Sequence, residues 1–179
     1  MPTPHGFVVF LHVSAAMGML VTLAIEWLSL RGLARATTYE QARDWAGLWN
    51  LLLPVGLPAV LLAVASGIYL ATTLGAWELG WVRVAVPTIV LIALAGASVG
   101  PRRNRLRSAL TVGAGALPGD LHRQLRHPLL GASWRCRAAL SFGLLFLMTV
   151  RPESGVTTIG AFALIGVVWS LPAWGNGSV

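Results

Sequence analysis

The stretch HGFVVFLHVSAAMGMLVTLAIE, from His5 to Glu26, is almost wholly apolar. A helix needs about 20 such residues to cross the hydrocarbon of a bilayer, so this run points to a membrane span before anything else is read. Four more apolar runs follow. The spans are predicted at about residues 7–30, 49–74, 82–99, 137–150 and 156–171. The expected fold is an all-α integral membrane protein, a single domain over residues 1–179 built as a bundle of five transmembrane helices. Composition agrees: 56% of residues are hydrophobic and 11% charged, where a soluble domain carries roughly a quarter charged.

All 13 basic residues are arginine, and the formal net charge is +7. That surplus would suit nucleic acid, but the arginines sit beside the apolar runs, the pattern of membrane orientation. Loops 31–48 and 101–136, with the start of the fourth run, hold 11 arginines; the other side holds Arg83 and Arg151. Positive charge stays inside. The N-terminus is therefore expected outside and the C-terminus in the cytoplasm. No positively charged segment precedes the first run, so it reads as a retained span, not a signal peptide. Tryptophans 27, 45, 49, 77, 81, 134, 169 and 174 fall mostly near span ends, as an interfacial belt does.

Local signals fill in the loops. Thr37 followed by Glu40 fits a capping box and starts a short interfacial helix. Pro54 and Pro58 predict a kink near Leu51–Pro54. Gly96 and Gly100 form a GxxxG that would allow close helix contact. LHRQLRHPLL suits a short surface helix within a long polar loop, and Arg135, Arg137 and Arg151 are expected to snorkel. Cys136 stands alone, so there is no internal disulfide.

Chemistry concentrates on the first span. His5, His12, Met19 and Glu26 recur every seven residues, close to two helical turns, and share one stripe. His5 would lie at the outer interface, His12 about 10 Å deeper and Met19 near the midplane. Imidazole with thioether suits haem iron or Cu(I). The candidate cofactor-binding residues are thus His12, His5 and Met19, with His12 the metal candidate and haem b or copper the cofactor. Residues seven apart on a straight helix are too far apart to grip one metal, so each histidine would need partners from another segment or a second protomer. His12 could equally hydrogen-bond a carbonyl or hydroxyl on a neighbouring helix. A His-to-Glu line could also relay protons, although about 20 Å separates His12 from Glu26. Glu26, costing on the order of 3 kcal/mol inside a span, is expected to pair with Arg31 or a basic-loop arginine, or else to face a cavity. Arg83 is its counterpart near the other end, with Glu78 beside it. Arg102, Arg103, Arg105 and Arg107 would draw anionic lipid at about 1 kcal/mol per charge, or dock a partner protein. No P-loop, HExxH, GxSxG or dinucleotide fingerprint is present.

FLHVSAAMGMLVTLAIEWLSLRGLARATT, SGIYLAT, RHPLLGASWRCRAAL and GLLFLMTVRP together resemble a family of small bacterial multi-pass membrane proteins of unknown function. The opening LHV is also similar to the first helix of copper-resistance D and HemJ-type membrane proteins. That second resemblance implies a histidine tied to copper or haem, at His12 here. The expectation is a multi-pass protein of the bacterial plasma (inner) membrane, haem- or copper-binding and redox-linked. The alternative is a small transporter or proton-path protein, or a non-enzymatic accessory subunit, forming a homo-oligomer or joining a larger membrane complex.

Overall fold

The computed structural model describes residues 3–151 and consists of helices joined by short connections. The expected fifth span, with Trp169 and Trp174, lies outside the described residues. Six α-helices follow one another: α1 (Pro4–Arg35), α2 (Tyr39–Gly47), α3 (Trp49–Thr73), α4 (Gly80–Val112), α5 (Gly119–Leu125) and α6 (Pro128–Val150). A 3-10 turn, Ala76–Glu78, connects α3 to α4. Three segments are long and apolar enough to cross a membrane: α1, the Tyr39–Thr73 stretch that holds α3, and α4.

α1 packs most extensively on α3 and α4 on α6, while α1 also meets α6. The α1–α3 contact is made by small residues. Ala15 is buried beside Ala59 and Ala63. A Cβ at Gly18 would come within 3.1 Å of Ala59, and one at Gly56 within 3.4 Å of Thr22. Lipid offers no hydrophobic drive between helices, so close backbone approach supplies the packing. Outward, the same helices expose Phe7, Phe10, Leu53, Leu57, Leu61 and Leu94, apolar groups that only an apolar solvent suits.

The arginine-rich end is more than a loop. α4 does not stop near Val99; it runs on through Pro101 to Val112. The reason is a second apolar stripe. Val99, Leu106 and Leu110 are buried together with Leu33, Ala42, Ala46, Trp49, Leu121 and Leu125. The helix therefore continues as one wall of a small cap with α2 and α5. Chain 37–40 pairs with 115–117 along the cap's edge: Tyr39 N–H donates to Gly115 O and Leu117 N–H to Thr37 O, both at 2.9 Å. Arg43 donates to the carbonyls of Leu110 and Gly113, meeting acceptors that α4's last turn leaves without helical partners.

Local detail departs from expectation in three places. α2 is capped one residue later than predicted, by Thr38, whose hydroxyl accepts from Gln41 N–H, while Gln41 accepts from Thr37. Glu40 is freed by that shift to accept from Gly115 N–H at 3.2 Å. α6 begins at Pro128, well before Arg137. Among the described residues Gly100 has open space at its Cβ position and Gly96 faces Arg137, so the GxxxG forms no backbone seam between the described helices.

Two tests follow. A Cβ on Gly32 would overlap the Trp45 indole, so Gly32→Ala should destabilise by about 1–3 kcal/mol through overpacking, read as a lowered unfolding midpoint. Glu40 is held below the usual carboxylate range by its own backbone N–H, then by Gly115 N–H and the Thr38 hydroxyl. Its stabilising contribution is therefore complete above the ordinary carboxylate value and is lost as pH falls through the depressed one. The Gly115 amide resonance should titrate with that depressed value, and Glu40→Gln should abolish the titration.

Candidate functional site

Buried stripes on three helices each contain one ionisable residue. On α1 Ala15, Met19, Leu23, Glu26, Ser29 and Leu33 are buried three or four apart, as a core face requires, with Gly32 buried beside Leu33. On α4 Val99, Leu106 and Leu110 are buried, and Arg103 falls on the same stripe. On α6 Leu130, Arg137 and Ser141 do the same. These stripes converge. Arg103 and Arg137 both donate to Glu26 Oε1, Arg137 at 2.5 Å. Glu26 is 1% exposed and Arg137 9%.

Neighbours shape the knot. Arg137 lies against Gly96, where a Cβ would stand 3.5 Å from its Cδ; the glycine makes the space that the long side chain crosses. Arg103 lies over the Trp49 ring at 6.0 Å, a cation–π distance. Trp134 Nε1–H donates to Leu23 O at 2.8 Å, and the Ser133 hydroxyl to Ala95 O at 2.7 Å. α6 is thus pinned to α1 and α4 beside the ion pairs. Arg137 turns inward and does not snorkel. Arg31, one expected partner of Glu26, instead covers Trp27 at 4.3 Å.

The other candidates do not gather. His5 is exposed, His12 half-buried and Met19 buried. α1 is one continuous helix from Pro4 to Arg35, so seven residues separate each of these by about 10 Å along its axis. Metal–ligand bonds of about 2 Å cannot span that, so His5, His12 and Met19 do not share one metal. Among the described residues no group of three or more His, Cys, Asp or Glu could hold a metal ion. Met19 packs with Ala59, Ala63 and Ile92. Arg83 pairs with Glu78 in an exposed bridge, a kind that contributes little.

His12 itself is held firmly. Its Nδ1 lies 2.9 Å from Ser66 Oγ on α3, and Gly67 leaves room for the ring, a Cβ there standing 3.2 Å from His12 Cε1. The Ser66 hydroxyl has one proton, and it donates to Leu62 O at 2.5 Å. With its proton given to Leu62 O, Ser66 Oγ is an acceptor that suits the tautomer of His12 protonated at Nδ1. In that tautomer the neutral ring would hold its lone pair on Nε2, the form that binds a metal.

Breaking the knot from the acid side should be the costliest change near it. Glu26→Ala leaves two buried guanidiniums unpaired, which costs about 3–5 kcal/mol. Adding Arg137→Met to Glu26→Ala should recover part of that loss, a non-additivity that unfolding midpoints of the two single variants and the double would reveal.

Compared with known proteins, the chain matches no family model, no curated protein and no solved structure.

Proposed function

We propose that this chain is a redox-linked membrane protein that holds a haem through His12. The supporting observation is the Leu62–Ser66–His12 chain of hydrogen bonds. A histidine whose Nδ1–H is fixed by an outer partner presents a basic, oriented Nε2, as metal-bearing histidines do. A single axial histidine suffices for a haem, whereas a copper site needs several ligands converging. The residues therefore suit haem better than copper, and His12 is the one that would hold it. The bound group would supply one-electron chemistry; the protein supplies orientation and an apolar surround. The resemblance of LHV to the HemJ-type first helix runs the same way. Five spans, an outer N-terminus and a cytoplasmic arginine-rich end in a bacterial plasma membrane belong to this reading, on the strength of the arginine bias.

A second reading has its own support. Glu26 is committed to two arginines on two other helices, a fixed joint more than a moving proton site. That favours a non-enzymatic accessory subunit over a proton path.

Purification in mild detergent with haem supplied separates the readings. The first expects a Soret band that is lost in His12→Ala, with haem affinity about 10–100-fold weaker in Ser66→Ala. A colourless wild-type protein would overturn it and leave the accessory-subunit reading.

A further inference from the structure

The arginine-rich end cannot neutralise itself. It holds 11 arginines but only Glu26, Glu40, Asp44 and Asp120 as acids. Glu40 is engaged with the cap, and Asp120 with Arg123. At the knot two guanidiniums share one carboxylate oxygen, leaving one positive charge in excess in a buried place. Three N–H donors of the knot and the indole beside it, Nε of Arg103 and Arg137 and Nε1 of Trp49, have no hydrogen-bond partner among the described residues, and neither has Nε of Arg102, the residue before Arg103 on α4. Trp49 is 5% exposed. Buried donors left unmet cost about 1–3 kcal/mol each, more when charged. Charge and donors lack the same thing, an acceptor with negative charge.

We propose that Arg102, Arg103 and Arg137 form a seat for one phosphate group, the group that an anionic phospholipid headgroup and free phosphate share. Guanidinium forks match phosphate oxygens in pairs, and this surplus is made entirely of arginine. Arg102 makes no ion pair among the described residues, and it and Arg103 remain partly exposed, so an anion has an approach. The Glu26 contacts hold Arg103 and Arg137 in place before the anion arrives. The position also suits a lipid. Leu91 is exposed and stands eleven residues before Arg102 on α4, three turns down the same face. An acyl chain can lie along that face while its phosphate meets the arginines.

Thermal unfolding of delipidated protein tests this, with phosphatidylglycerol, phosphatidylcholine or inorganic phosphate added at fixed ionic strength. Phosphatidylglycerol should raise the midpoint saturably, and phosphatidylcholine should not. Arg102→Gln should raise the half-saturating concentration at least tenfold, while Arg105→Gln, at an exposed neighbour, should not. A saturable shift from inorganic phosphate alone, lost in Arg102→Gln, would support the same seat with free phosphate as its occupant. An equal shift from phosphatidylcholine, a shift that never saturates, or one that Arg102→Gln leaves unchanged would overturn the proposal. Native mass spectrometry of the wild type should retain one phosphatidylglycerol per chain, a readout that does not depend on any variant folding. His12→Ala should leave all of these unchanged, because the seat does not rest on the haem reading.

Discussion

One carboxylate serving two guanidiniums in a place shut off from water governs how this bundle can be assembled. Glu26, Arg103 and Arg137 come from α1, α4 and α6. None of these charges is tolerable alone inside the bundle, so the three helices must come to rest in one register. A one-residue slip of α4 would carry Arg103 off its stripe, rotating it about 100° around the helix. Surface apolar packing could not impose that precision, because the lipid-facing residues are interchangeable and have no preferred partner. Register comes from the buried charges, and closeness comes from the small residues between α1 and α3.

The rest of the arginine-rich end reads as support for that joint. The cap buries Leu33, Val99, Leu106 and Leu110 in one cluster; Val99 and Leu106 bracket Arg103 along α4, and Leu33 lies two turns beyond Glu26 on α1. Arg43 closes the far end of α4. The 37–40 and 115–117 strands of backbone tie α2 to the chain leaving α4. α4 is therefore gripped on both sides of Arg103, by α6 below and the cap above.

Much of this was legible in the sequence and some was not, for physical reasons. Apolar run length announces a span directly, so α1, α3 and the first part of α4 were readable. The continuation of α4 past Pro101 was hidden by its arginines. Yet the signal existed: Val99, Arg103, Leu106 and Leu110 fall at helical spacing, and that places Arg103 among core positions while Arg105 and Arg107 stay exposed. The same test puts Arg137 in line with Leu130 and Ser141. Reading the arginines as one interfacial group concealed the two that turn inward. Gly96 reads as room for a backbone and lies against the Arg137 side chain, because a small residue in a span can admit either, and spacing alone does not distinguish them. The heptad on α1 lies along one face of the helix, and its spacing alone already puts members two turns apart beyond the reach of one metal. Which hydroxyl would meet His12 depended on how α1 and α3 pack, and no local pattern encodes that.

The two bonds to Glu26 join residues 77 and 111 positions apart. Chains grow from the N-terminus at about 5–20 residues per second, so Glu26 waits on the order of ten seconds before Arg137 is even made. Until Arg103 is made the first helix carries an unanswered acid, and until Arg137 is made an acid with one of its two arginines. Its lasting residence in the membrane is conditional on α6 being synthesised and docked. A truncated chain, lacking that helix, would keep the acid without its second arginine and could be recognised by that defect. The joint thus dates the completion of the molecule as well as fixing its shape.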